Sequence, residues 1–120
     1  MLFRSRGLSS YIFEKEFRQL LSRSINYSKN KSNVFVLSIP DWGLTPFAEK
    51  RNKIAISDSI DVFNQLIEKV CFENNIKFFD ITDISREAEL NSDLIASDSL
   101  HPSGIMYKKW IDKILHEWKI

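Results

Sequence analysis

Two short strand-forming runs, each preceded by an amphipathic segment, are the features that most constrain how this chain can fold. The first, Val34–Ser38, is continuously apolar up to its last residue and ends before Pro40, and the second, Lys77–Ile81, follows a break at Asn74 and Asn75. Runs rich in β-branched and aromatic residues that do not alternate with polar ones are typical of buried strands in parallel sheets. The chain is therefore predicted to contain two parallel strands.

Three helices are predicted by apolar residues that recur at three- and four-residue spacing. The first covers residues 10–28 with Ser9 or Ser10 as its cap, the second covers residues 57–70, and the third follows a cap at Ser103. The apolar positions of the third helix, all expected in the core, are Tyr107, Trp110, Ile111, Ile114, Leu115 and Trp118.

The order of these elements predicts an α/β fold with a parallel sheet, because helices and strands alternate along the chain. Residues 39–53, with two prolines and a glycine, are expected to form a long loop at the carboxyl end of the first strand, where long loops often serve a site. The stretch after the second strand is expected to be irregular. Two strands alone leave open edges, so further strands are expected before them.

Composition excludes several classes of partner and compartment. Lys and Arg total 17 against 16 Asp and Glu, and a net charge of +1 predicts no binding to nucleic acid or to an anionic membrane. The single Cys71 cannot form an internal disulfide and is expected to be a small buried hydrophobe. The N-terminus has no apolar run long enough for a signal peptide or membrane span, which predicts a cytoplasmic location.

The strongest candidate for a functional site is the pair Asp98 and His101, three residues apart and followed by Pro102. At this spacing a carboxylate can hold one imidazole nitrogen and leave the other free to act as a general base. The pair could instead be turn residues that satisfy local hydrogen bonds. A metal site would need further ligands, and His116 lies on the last helix; neither a metal nor a cofactor is predicted.

Three segments together carry a family resemblance: Val34–Ala48, with its Ile-Pro-Asp-Trp-Gly loop, Phe79–Thr82, and Asp98–Ser103. They resemble the C-terminal part of the SGNH/GDSL hydrolase superfamily of esterases and lipases, over nearly the whole chain from about Arg6. The resemblance implies a flavodoxin-like three-layer α/β/α fold with parallel strands. It also implies that Asp98 is the catalytic acid and His101 the catalytic base.

Two motifs of that superfamily have no counterpart in this chain. The family places its serine in Gly-Asp-Ser and completes its oxyanion hole from Gly-x-Asn-Asp, whereas Gly7, Gly43 and Gly104 stand in neither context. Residues 1–120 are therefore expected to form a single partial domain without the N-terminal strands, the nucleophile or the oxyanion donors. A truncated reading frame or a fragment is the expected origin.

Two functions follow from the resemblance and its gaps. The first is an ester hydrolase with a Ser-His-Asp mechanism, here represented by its Asp-His half, which would act on a small ester once completed. In that case Trp42 and Phe47 could line an acyl pocket or cover the core. The alternative is a non-catalytic remnant or interaction module, and its open strand edge predicts self-association.

Overall fold

The secondary structure of residues 9–118, the part described by the computed structural model, is mainly helical. The helices and strands are α1 (Ser10–Ser28), β1 (Phe35–Leu37), α2 (Lys53–Glu73), β2 (Lys77–Phe79), α3 (Thr82–Arg86) and α4 (Gly104–Glu117). This order is compatible with the predicted α/β class, and the two strands are parallel, as predicted. No helix within residues 9–118 is both long and apolar enough to cross a lipid bilayer.

Local capping explains where two of the helices begin. The Ser9 hydroxyl accepts a hydrogen bond from the Ile12 N–H (3.3 Å), and the Ser103 hydroxyl accepts one from the Met106 N–H (3.3 Å). Each bond satisfies one of the N–H groups that the first turn of a helix leaves without a partner inside the helix. Both predicted caps are thus confirmed, and α1 has the predicted bounds.

β1 and β2 pair in parallel, but both strands are shorter than predicted. Each covers three residues instead of the predicted 34–38 and 77–81, and Phe35 lies opposite Lys77 in the register. Phe35 is exposed, and the other two residues of β1 are only half-buried. The prediction of a buried first strand is therefore wrong: among the described residues the sheet has two strands, so each has one strand neighbour.

The described residues divide into two compact units, each built from two stretches of chain. The first unit contains residues 9–38 and 61–79 and includes the sheet; the second contains residues 39–60 and 80–118. The buried apolar residues of the first unit are Phe13, Leu21, Phe63, Ile67, Val70, Cys71, Ile76 and Phe79. Those of the second unit are Ala48, Ile56, Ile60, Ile81, Ala88, Leu94, Met106, Trp110 and Ile114.

The core of the first unit is built where α1 meets α2. The rings of Phe13 and Phe63 stack with their centroids 4.4 Å apart. Cys71 is fully buried, as predicted, and burial, aided by the negative charge of Glu68, raises the pKa of its thiol to about 11. The thiol is therefore protonated at neutral pH and is not a nucleophile.

The last helix buries only part of the stripe that the sequence assigns to the core. Trp110 and Ile114 are buried, but Tyr107, Ile111 and Leu115 are between 48% and 68% exposed. The exposed row is displaced by one position, about 100° around the helix axis, from the buried row. The expectation that the whole stripe packs in the core is wrong, because only one side of α4 faces the interior.

Two segments predicted as irregular contain short helical turns. The loop between β1 and α2 contains 3₁₀ turns at Trp42–Leu44 and Pro46–Ala48. The stretch after β2 contains α3 and two further 3₁₀ turns, Glu87–Glu89 and Ser92–Leu94. Turns of three to five residues are too short to show a periodic apolar pattern, so the sequence does not reveal them.

Candidate functional site

Asp98 and His101 lie in a tight loop of the second unit that the backbone closes on itself. At the base of the loop the Ala96 N–H donates to the His101 carbonyl at 2.7 Å. Ser99, at the tip, has φ of 67° and donates its N–H to the Ala96 carbonyl at 3.0 Å. This left-handed residue reverses the chain, so that positions 98 and 101 face each other.

The Asp98 carboxylate contacts three N–H groups at once. Its Oδ1 accepts the backbone N–H of Leu100 at 2.9 Å and that of His101 at 2.8 Å. Its Oδ2 contacts Nδ1 of the His101 ring. The contact with the ring is additional to the two backbone bonds, which are those that an aspartate in a turn commonly makes.

These hydrogen bonds favour the charged form of the carboxylate. The backbone N–H groups of His101 and Leu100, followed by the His101 side chain, lower the pKa of Asp98 to about 2 from an ordinary value of 3.8. Asp98 is therefore ionised throughout the physiological pH range and can stabilise a positive charge on the imidazole.

A titration of the Asp98 carboxyl by NMR should separate these contributions. In the unsubstituted chain we expect its pKa near 2. In a His101→Ala variant we expect the pKa to rise but stay below 3.8, because the two backbone donors, which are the larger cause, remain. A return to 3.8 in that variant would show that the imidazole alone holds the carboxylate.

The same pKa shift has a definite sign in the pH dependence of stability. The folded-state pKa lies below the ordinary value, so the stabilising effect is complete above about pH 3.8 and disappears as the pH falls towards 2. The side chain is half exposed, so solvent screening keeps the effect on the free energy of unfolding small.

The arrangement leaves the other imidazole nitrogen available. A neutral imidazole that faces a carboxylate through Nδ1 carries its proton on that atom, so Nε2 holds the lone pair. The His101 side chain is 68% exposed, and Nε2 has no hydrogen-bond partner among residues 9–118. The pair can therefore accept a proton from a group that approaches from outside the loop.

In the described part of the chain, no serine hydroxyl and no thiol is hydrogen-bonded to the His101 ring. Cys71 is buried in the other unit. Within the same residues no group of three or more His, Cys, Asp or Glu side chains is placed to hold a metal ion. The arrangement has the geometry that a general base requires: a carboxylate on one ring nitrogen and an accessible second nitrogen.

The structure places the two candidate pocket residues in the second unit with different surroundings. Trp42 is half-buried and packs on the apolar cluster of Ala48, Ile56 and Ile60. The Phe47 side chain is exposed, and the Arg51 Cζ atom lies 4.8 Å from the centroid of its ring. The backbone N–H of Phe47 donates to the Ser99 carbonyl at 3.1 Å. Phe47 therefore touches the loop of the pair through its backbone.

A cleft of about 650 Å³ opens next to this loop within the second unit. Ser97 and Ser99, the residues on either side of Asp98, line it, whereas Trp42 and Phe47 do not. Its volume falls in the usual range for sites that bind small molecules. Nothing in the sequence indicates this cleft.

Sequence analysis also missed a buried charge network around Asp41, whose side chain is fully buried. One oxygen accepts the Gly43 N–H at 2.8 Å; the other accepts the Ser57 hydroxyl at 2.6 Å and the Arg86 Nε at 3.0 Å. The Asp41 N–H donates to the Ser85 hydroxyl at 2.9 Å. The network joins the long loop to α2 and α3. Because the Asp41 side chain is fully buried, it is not accessible to a substrate.

Only one part of this network has a signal in the sequence. An aspartate two residues before a glycine in a loop is typical of a turn closed by the carboxylate. Gly43 is required there, because a Cβ atom would lie 2.9 Å from Asp41 Oδ1 and 3.0 Å from Ile56 Cγ2. Arg86 is 45 positions away from Asp41, and nothing in the sequence links the two.

Comparison of the chain with protein-family models, curated proteins and solved structures finds no match. The SGNH resemblance therefore stays a prediction that rests on the sequence. The geometry around Asp98 and His101 is the observation from which a function can be argued.

Proposed function

We propose that this chain carries the acid–base half of a serine ester hydrolase of the SGNH type. Asp98 orients His101, and His101 acts as the general base. The observation that carries the proposal is the three-way contact of the Asp98 carboxylate, which holds the Nδ1 side of the ring and leaves Nε2 exposed.

The proposed reaction needs a serine from outside the described residues. Its hydroxyl proton passes to Nε2 of His101 while the serine oxygen attacks the ester carbonyl. The imidazolium that forms is stabilised by the ionised Asp98, and the proton then passes to the departing alcohol. Water repeats the sequence on the acyl-serine and releases the acid. A base that serves a nucleophile from another segment has to be accessible, as His101 is.

The finer fold belongs to the same proposal. We take β1 and β2 as two adjacent strands of a flavodoxin-like sheet, to which a nucleophile-bearing segment would add further strands. The parallel pairing of the two strands and a connection through a long helix support it, since both are typical of such sheets. Cytoplasmic location stays a prediction.

A second candidate function is that of an interaction module whose sheet pairs with a strand of another chain. The exposure of Phe35 on β1 favours it, as do other large apolar side chains exposed on the same unit. These include Tyr11, Leu20, Tyr27 and Phe72. A strand edge without a neighbour is a template for strand addition, and exposed apolar side chains on the same unit add contact area.

An esterase assay on the chain alone tests the proposal that His101 acts on a nucleophile from another segment. With short p-nitrophenyl esters we expect the chain and its His101→Ala variant to have the same rate, because a base contributes only when a nucleophile is present. His116→Ala is the matched control for background reaction of an exposed imidazole. A rate that depends on His101 but not on His116 would contradict the proposal, since a serine of this chain would then reach the ring.

Light scattering tests the second candidate function. We expect the chain to self-associate, because the sheet has only two strands in residues 9–118 and large apolar side chains of the same unit are exposed. Phe35→Lys should reduce the association. Ile105 is an exposed residue of the other unit, so Ile105→Lys is the control and should leave the association unchanged. A monodisperse species of 14.1 kDa that unfolds cooperatively would contradict self-association through the sheet.

A further inference from the structure

The lining of the cleft beside the Asp98 loop combines apolar, hydroxyl-bearing and charged residues. One part of it is apolar and is formed by Leu44, Pro46, Leu90 and Ile95. The lining also includes Ser92, Ser97 and Ser99, whose hydroxyls have no hydrogen-bond partner among residues 9–118. The cleft thus offers both an apolar surface and hydrogen-bonding groups that are not already used within the described chain.

Charged groups at the cleft limit the ligand further. Glu49 and Glu89 contribute two negative charges and Lys53 one positive charge. An anionic ligand would face a net negative lining, which disfavours it. A long acyl chain would cover the serine hydroxyls without offering them hydrogen bonds, which costs free energy for each one that is buried.

A ligand that suits all three features is neutral and rich in hydroxyl groups. Its hydroxyls can pair with the serines and with the carboxylates, while its C–H groups lie on the apolar side chains. Sugars and other polyols combine these properties in a volume well within 650 Å³.

We infer that this cleft binds the alcohol part of the ester and that this part is a sugar or a similar polyol. The inference rests on the proposed acid–base function of Asp98 and His101. It names the substrate class, which neither the pair nor the rest of the sequence indicates.

The position of the cleft supports a role in substrate placement. Ser97 and Ser99 flank Asp98 in the chain, and the Ser99 carbonyl accepts the Phe47 N–H at 3.1 Å. This bond joins the loop of the pair to the 3₁₀ turn that begins with Pro46, another residue of the lining. A ligand in the cleft would therefore contact both sides of the junction that holds the base in place.

An NMR titration that needs no hydrolysis tests the inference. The probes are methyl 6-O-acetyl-glucoside for the sugar ester, octanoate for an acyl chain and glucose 6-phosphate for an anionic sugar. We expect the glucoside to shift the backbone amides of residues 96–99 at lower concentration than either other probe. The double variant Ser92→Ala/Ser97→Ala should bind it roughly tenfold more weakly, since two hydrogen bonds to a neutral ligand are lost.

Two control variants separate this inference from the proposed function. Ser22→Ala removes an exposed hydroxyl from α1, in the other unit, and should leave binding unchanged. His101→Ala should also bind the glucoside normally, because the ring does not line the cleft; the cleft is therefore tested even if His101 is not a catalytic base. Tighter binding of octanoate or of the phosphate, equal binding by the double variant, or no shift with the glucoside would each overturn the inference.

Discussion

Fusion of an SGNH nucleophile segment to the chain before Arg6 should produce an active esterase. The added segment supplies the serine, the oxyanion donors and the N-terminal strands that the resemblance implies. In this chimera we expect His101→Ala to lower kcat/KM by roughly 10⁴-fold or more, since loss of the base disables the nucleophile. Hydrolysis of p-nitrophenyl acetate, measured on protein shown to be folded by circular dichroism, gives the comparison.

Substitutions of the carboxylate refine the test. Asp98→Asn should cost less than His101→Ala, because the amide oxygen can still accept the N–H groups of Leu100 and His101 while the charge that stabilises the imidazolium is lost. Asp93→Asn, in the same stretch of chain but not in contact with the ring, is the matched control and should leave the rate unchanged. An active chimera indifferent to His101→Ala and Asp98→Asn would mean that the pair is a structural turn.

Asp41→Ala should be among the most destabilising single substitutions in the second unit. It removes a fully buried carboxylate that accepts three hydrogen bonds and leaves Arg86, whose side chain is 29% exposed, without this ion pair. Removal of one partner from a buried ion pair costs about 3–5 kcal/mol, and the partial exposure of Arg86 places the expected loss near the lower limit. Urea denaturation gives the free energy of unfolding.

A surface ion pair provides the control for this measurement. On α4, Lys108 Nζ and Asp112 Oδ2 lie 2.9 Å apart, and both side chains are mostly exposed. Asp112→Ala should therefore lower the free energy of unfolding by less than about 1 kcal/mol. Asp41→Asn should fall between the two, because its amide oxygen can still accept the Gly43 N–H. If Asp41→Ala were no more destabilising than Asp112→Ala, the network would not hold the loop in place.

The parts of the fold that were predictable depend on neighbours in the chain. The caps at Ser9 and Ser103 each involve a residue three positions further on, and the periodic apolar pattern predicts α1 with its observed bounds. The contact between Asp98 and His101 also spans only three positions, and a single turn creates it. Spacing alone was therefore enough to propose this pair.

The structure was needed wherever distant segments meet. Whether Phe35 on β1 or Tyr107 on α4 is buried depends on which elements cover them, and an apolar residue looks the same in either case. The short turns between β2 and α4 lack a periodic pattern and were missed for that reason.

Local residue chemistry was thus enough to predict the three long helices and the contact of the imidazole with Asp98, because each arises from hydrogen bonds or periodicity within a few residues. The burial of Asp41 against Arg86 and the cleft beside the Asp98 loop arise only in the folded chain. Asp41 and Arg86 are 45 positions apart, and the cleft brings Pro46 together with Ser99 from a similarly distant part of the chain. Pairings at that separation are selected by the packing of the whole unit, and no local pattern in the sequence records them.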